Sequence, residues 1–221
     1  MNAHLTAIDD LFRRAGIGPA AAKRQDRPSA APRALDGRDL TRYLRACERA
    51  ALRDRAIAFT EMYAGTRGGE TVALDLDDLR LSAKKGTVIV RFGKGGRYRE
   101  IPAHPKLLTV LQQWLTLRAT WPGSLDSNAL FLNHHGGRLS VRGAYAILVA
   151  IADHADLDIG VDAAFTPHAL RHTAGTTMVR AGTDIVIVAE ILGQSLETTR
   201  RYSLPTQQDK EQAVLHIPVD E

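Results

Sequence analysis

The sequence predicts a mainly α-helical chain with one small antiparallel β-sheet, an α+β fold. Two observations lead there. Apolar residues recur at helical spacing through most of the segment after Asp36, and a single stretch, Thr87 to Pro102, switches to strand-like alternation around a glycine-rich turn. A third observation sets the scale. An apolar content of 44% over 221 residues is enough for one full core and at most a fragment of a second domain.

Taken in order, Leu5 to Ala15 suits a short helix with Ile8, Leu11 and Phe12 along one side, stopped by Gly16. The run that follows is rich in proline, alanine and basic residues and has no apolar period, so residues 18–35 read as a linker after a terminal helix within 1–17. The main domain is expected over 36–205. It opens with a helix carrying Leu40, Tyr43, Leu44 and Cys47, followed by a mostly apolar helix from Leu52 to Tyr63 that Gly65 ends, leaving Arg67 at a helix-to-turn junction.

Thr87 to Phe92 alternates like a half-buried strand, and Tyr98 to Pro102 reads as its partner. The intervening Gly93-Lys94-Gly95-Gly96 is turn chemistry and places Lys94 at a hairpin tip. Leu107, Leu108, Leu111, Trp114 and Leu115 define an amphipathic helix. After an extended Leu130-Phe131-Leu132 and a turn at Gly136-Gly137, Ser140 caps a helix whose inner face is Ala144, Ile147, Leu148 and Ile151. Thr166 as N-cap and Pro167 at the first helical position open the next helix, which bears His168 and Arg171 and closes at Gly182. Asp184 caps a further helix running to Gly193, and residues 206–221 form a tail with a short helix from Gln207 to His216.

Composition excludes several classes. The one cysteine, Cys47, permits no intrachain disulfide and no zinc cluster, and its apolar helix face makes it a buried, inert thiol. The first residues lack the charged-then-apolar layout of a signal peptide, and no run approaches a membrane span, so a soluble, cytoplasmic protein is expected, with no membrane partner. A formal net charge of +4 suits a polyanionic partner without demonstrating one. His168 and His172 are four apart, as in a zinc protease helix, but Ala169 stands where that motif needs glutamate and no third ligand is evident; no metal and no cofactor are expected. The Gly93-Lys94-Gly95-Gly96 turn lacks the spaced glycine and following Ser/Thr of a nucleotide phosphate loop.

The residues that point to chemistry lie far apart in sequence. His168 and Arg171 are three apart in the first turns of one helix, so they share a face at the end where free amides and the helix dipole favour an anion. Arg67, in Ala64-Gly65-Thr66-Arg67-Gly68-Gly69-Glu70, supplies a second guanidinium fork, and two such forks can hold the non-bridging oxygens of one phosphate. Tyr202, in Thr198-Thr199-Arg200-Arg201-Tyr202, is the candidate nucleophile: a phenol with an ordinary pKa near ~10 needs positive potential or a base to attack at neutral pH. Set beside these roles, a lone arginine is most often half of a salt bridge, here to Glu70 or to an Asp between 75 and 78. A tyrosine is most often half-buried packing, and a lysine in a glycine-rich turn is usually solvated.

These motifs, in this order and over roughly residues 36 to 205, resemble the tyrosine recombinase (phage integrase) family, which cuts and rejoins DNA through a phosphotyrosine link. The resemblance implies a catalytic-domain fold of that family. It implies double-stranded DNA as partner, a monomer without DNA that forms a homo-oligomer on it, and a nucleoid-associated location. It also implies a site of Arg67, Lys94, His168, Arg171, Gln194 and Tyr202, in which Lys94 protonates the departing 5′ oxygen and Glu70 orients Arg67. His172 is expected to be structural.

The chain departs from the family pattern at Leu192-Gly193-Gln194, where Leu-Gly-His is usual, and the run from Gln194 to Tyr202 is one residue shorter than common. Glutamine can donate a neutral hydrogen bond to phosphate but cannot shuttle a proton. In a helix one lost residue turns everything after it by about 100°. The resemblance further implies a chain truncated at its N-terminus, lacking most of a helical DNA-binding domain. Two functions follow: a site-specific recombinase or integrase, or an impaired, truncated remnant that binds DNA without cleaving it. A type IB topoisomerase shares the chemistry but not the layout near the tyrosine.

Overall fold

The computed structural model describes residues 34–91, 93, 96, 98–158 and 165–203. All of them belong to one compact unit, Pro32–Glu221. The expected terminal helix, nearly all of the expected linker, the expected tail helix and Lys94 lie outside the described residues.

Helix α1 (Gly37–Arg49) begins where the Asp36 side chain accepts from the backbone N–H of Asp39, satisfying one of the orphan amides of its first turn. Helix α2 (Leu52–Tyr63) is buried along almost its whole length, from Ala56 to Met62, and is the central helix of the unit. Helices α4, α5 and α6, introduced below, pack around it together with α1. Its lack of a polar face follows from that position.

After α2 the chain makes a short helix, α3 (Gly68–Ala73), which the sequence reading did not foresee; Arg67 is its N-cap residue rather than a bare turn position. A single 3₁₀ turn leads into the sheet, β1 (Leu79–Leu81), β2 (Gly86–Val90) and β3 (Arg99–Pro102), an antiparallel meander in that order with Val88 opposite both Leu79 and Ile101. The expected hairpin is therefore two strands of three. The half-buried alternation expected for β2 also gives way at its end, where Val88, Ile89 and Val90 are all buried. A central strand has both neighbours paired, and here Ile89 is covered on the second face, beside the Glu70–Asp78 segment.

Helix α4 (Pro105–Arg118) carries Leu107, Leu111 and Trp114 into the core against α2, and the Trp114 indole N–H donates to the Leu130 carbonyl (3.0 Å). Leu130, Phe131 and Leu132 are an extended, fully buried segment with isolated bridges at Ala129 and Leu132. Ser140 caps α5 (Val141–His154) by accepting from the Gly143 N–H. Helix α6 (Pro167–Arg180) follows, with Thr166 at the N-cap, although its hydroxyl makes no capping bond. Asp184 caps α7 (Ile185–Leu192), Gly193 ends it with φ +58°, and a four-residue helix α8 (Leu196–Thr199) passes directly into a 3₁₀ turn, Arg200–Ser203.

Candidate active site

Three of the expected site residues line one cleft of about 390 Å³: Arg67 from the start of α3, and His168 and Arg171 from the first turns of α6. Arg171 is buried. Its guanidinium donates to the carbonyls of Gly65 and Leu192 and, at 3.3 Å, to Oε1 of Gln194. It thereby ties the turn after α2 to the end of α7. Burial first, then the nearby Arg67 charge, pulls Arg171 down to about 10, still cationic at neutral pH. His168 is exposed at the mouth of the cleft.

Arg67 is held from below. Nη1 of Arg67 donates to Oε1 of Glu70 (2.8 Å), while the backbone N–H of Arg67 donates to Oε2 (2.9 Å). The same carboxylate receives the buried guanidinium of Arg99 from β3, at 2.6 Å and 3.3 Å, and Arg99 also donates to the Ile191 carbonyl (3.0 Å). Burial alone would raise the Glu70 carboxyl, but the Arg99 and Arg67 hydrogen bonds and charges overcome it and hold it down at about 2. Glu70 is thus the shared counter-ion of two arginines, which leaves the rest of the Arg67 fork for a ligand. Its expected part, orienting Arg67, is what these contacts do.

Arg99 was missed in the sequence. Its signal was available: β3 alternates buried, exposed, buried, exposed, so an inward Ile101 puts Arg99 inward too. Gly193 makes room for it. A Cβ there would stand 2.8 Å from Nη1 of Arg99, and the left-handed φ of +58° is one a side chain adopts only at a cost.

Tyr202 is not among the residues that line this cleft. Its ring packs on Gly175 of α6, where a Cβ would come within 2.7 Å of it, and against Val188 and Leu192 of α7; the residue is 8% exposed. Its hydroxyl points at Oε1 of Gln194 (3.5 Å). His172, expected to be structural, meets the Tyr202 ring edge-on with ring centroids 5.1 Å apart. Burial, then His168, Arg171 and Arg201, hold the His172 imidazole below its usual pKa, so it packs there as a neutral ring.

Gln194 differs from expectation in its orientation. Its Nε2 donates to Thr199 Oγ1 (3.2 Å), and its Oε1 accepts from Arg171 and lies within reach of the Tyr202 hydroxyl. The amide that was expected to face a phosphate is engaged within the protein, and the carbonyl end joins the arginine to the tyrosine.

The short spacing before Tyr202 has a visible answer. Residues 200–203 form a 3₁₀ turn. On ideal geometry, the three 3₁₀ residues up to Tyr202 advance about 6 Å and turn about 360°, while four α-helical residues advance about 6 Å and turn about 400°. Tightening the last turn therefore recovers the rise of the missing residue and all but about 40° of its rotation, and the hydroxyl still arrives at Gln194.

Among the described residues there is no cluster of three or more His, Cys, Asp or Glu side chains able to hold a metal, and no helix long and apolar enough to cross a membrane.

The phage integrase family model matches residues 33–209. The tyrosine recombinase XerD of Mycobacterium leprae is 38% identical over 163 residues, covering 71% of this chain and 49% of the relative. XerA of Pyrococcus furiosus is 30% identical over 220 residues, 97% of this chain and 72% of the relative. Among solved structures, the XerA recombinase superposes with a TM-score of 0.71 at 26% identity, covering 86% of this chain and 67% of that one. The XerH site-specific recombinase, in a post-cleavage complex with palindromic difH substrate, gives 0.71 at 26% identity, over 83% and 52%. The chain spans about half the length of the XerD relative. With its matched segment, its mainly helical fold with a three-stranded sheet and its two-arginine cleft, the chain belongs to the phage integrase family.

Proposed function

We propose that this chain is the catalytic unit of a site-specific DNA recombinase or integrase, a strand-transferase that works through a 3′-phosphotyrosine link. One observation supports the reading most: Gln194 Oε1 lies 3.3 Å from Arg171 Nη2 and 3.5 Å from the Tyr202 hydroxyl, a proximity that suits a tyrosine and an arginine acting on one phosphate.

In the proposed step the Tyr202 oxygen forms a bond to phosphorus as the bond from phosphorus to the 5′ oxygen breaks. His168 takes the phenol proton, and Lys94, by the family resemblance, supplies a proton to the leaving 5′ oxygen. Arg67 and Arg171 stabilise the charge that builds on the non-bridging oxygens, an effect for one such donor of about 3–4 kcal/mol. Gln194 keeps Arg171 and Tyr202 in register. Rejoining is the same step reversed by a 5′ hydroxyl, so no external energy source is needed.

The proposed partner is double-stranded DNA, a reading supported by the XerH site-specific recombinase having been solved bound to its palindromic difH substrate. We further propose a monomer that assembles into a homo-oligomer on DNA at the nucleoid, with residues 1–17, 18–35, 36–205 and 206–221 serving as terminal helix, linker, catalytic domain and tail.

The test is a suicide duplex whose nick lets the cleaved fragment diffuse away. The wild-type chain should accumulate a covalent protein–DNA adduct, and Tyr202→Phe should form none while still binding the duplex. Binding by the wild type without any adduct would sink the cleavage reading in favour of a chain that only binds DNA.

A further inference from the structure

Glu61 takes no part in the chemistry above, yet it lines the same cleft as Arg67, His168 and Arg171. It sits in the last turn of α2, within an otherwise apolar run, and is 1% exposed. Its Oε1 has no hydrogen-bond partner among the described residues, and neither has Oγ1 of Thr166 on the same wall. A carboxyl without its full set of partners is costly to bury, and such groups concentrate where a ligand uses them. Oε1 is closed off from solvent, but only thinly on the side of Gly68. A Cβ on Gly68 would stand 3.4 Å from Glu61 Oε1 and 3.9 Å from Val141 Cγ1, closing the gap between α2 and α5.

We propose that Glu61 is a further ligand-binding residue of this cleft: in its neutral form it donates a hydrogen bond to a phosphodiester oxygen beside Arg67 and Arg171, with Thr166 as companion donor. The inference rests on the phosphodiester reading of the cleft. A carboxylate there would repel the anion, so the residue suits the site only while protonated.

Its surroundings hold it so. Burial pushes Glu61 up to about 8, against a pull downwards from the Thr71 hydroxyl and with a further push from the Glu70 carboxylate. From α1 it faces Tyr43, whose phenol burial keeps neutral. At the start of α3 it meets Arg67 and Glu70, already bonded to one another. From α5 comes Tyr145, and from α6 come His168 and Arg171. The buried titratable group of α4, Arg118, is taken up by the carbonyls of Ser127 and Ala129. The cleft is therefore ready for phosphate at neutral pH and opposes it once Glu61 ionises.

Equilibrium binding of a duplex oligonucleotide at low salt, in the Tyr202→Phe background so that cleavage does not intervene, tests this. Between pH 7 and pH 9 affinity should fall about tenfold, because at one unit above a midpoint of about 8 only about a tenth of the carboxyls keep their proton. Adding Glu61→Gln, which donates without titrating, should abolish that fall, and Glu61→Met should bind more weakly than the parent at pH 7. His168 is common to all three proteins, so the difference between their profiles isolates Glu61. Parallel pH profiles for the parent and the Gln variant, or full affinity in the Met variant, would overturn the proposal while leaving the recombinase reading intact. No binding by the parent at pH 6.5 would overturn both. Urea unfolding of the unliganded protein guards against misfolded variants. Relative to Glu61→Gln, which shares every other titrating group, the parent should lose stability as pH rises from about 4.5 to about 8, since a raised carboxyl favours the fold only while protonated. A stability difference between parent and Glu61→Gln that stays flat across that range means Glu61 is not held neutral, and the proposal fails.

Discussion

Single residues in this site act through shared partners. Glu70 is the clearest case: one carboxylate positions Arg67 through Oε1 and through the backbone, and also neutralises Arg99, itself buried. Removing Arg99 leaves a buried carboxylate half-partnered. Arg99→Met should therefore cost about 3 kcal/mol in urea unfolding at pH 7, at the low end for a broken buried pair because Arg67 remains. The sign of the pH dependence follows from Glu70, whose pKa in the fold is depressed. Its contribution is complete above the unfolded value near 4.5 and is lost as pH falls toward about 2, so the gap between wild type and Arg99→Met should narrow over that window. A gap that stays constant down to pH 2.5 would show that Arg99 acts through packing rather than through Glu70. Glu61 and Arg99 were both legible in principle, one as a carboxylate inside an apolar helix and the other as an inward strand position. What the sequence did not disclose is that both border the same short turn, Thr66 to Glu70.

Among the elements, the segment from α7 to the 3₁₀ turn decides whether the tyrosine is delivered. Gly193 breaks α7 and admits Arg99, Ser195 caps α8 by accepting from the Thr198 N–H, and the 3₁₀ turn brings Tyr202 back onto α6. Because the tight turn already makes up for the missing residue, adding one should be harmful. Inserting an alanine between Gln194 and Ser195 would turn the following segment by about 100° if α8 persists. Adduct formation on a nicked duplex should then drop by at least about tenfold with duplex binding unchanged. A rise in adduct yield would mean that the short spacing, not its 3₁₀ compensation, governs the position of Tyr202. The sequence showed the deletion as a count; only backbone geometry, a change from 3.6 to 3.0 residues per turn, shows where it is absorbed.

For the molecule as a whole, a modest net charge of +4 is less telling than the placement of its cations. The cleft gathers Arg67 and Arg171 beside His168, and most of the guanidinium charge elsewhere in the described fold is tied up, as with Arg118 on carbonyls and Arg138 on Asp75. DNA binding should accordingly be salt-sensitive and modest. With about four phosphates neutralised, affinity should fall roughly a hundredfold between 50 and 200 mM salt, as counterion release requires. Binding that ignores salt would argue against a phosphate-directed surface.

Local sequence was enough for the longer helices, their caps at Asp36, Ser140 and Asp184, and the placing of His168 and Arg171 on one face, because periodicity and capping are short-range properties of the chain. It was also enough, through motif order, for the family. Tertiary structure alone decided the third strand, the burial of Ile89 on the second face of β2, the Arg99–Glu70–Arg67 arrangement, the inward turn of the Gln194 amide and the packing of Tyr202 on Gly175. Each of these joins residues separated by an intervening element or by a tight turn. Their geometry depends on how helices pack around α2, and no window of neighbouring residues contains that packing.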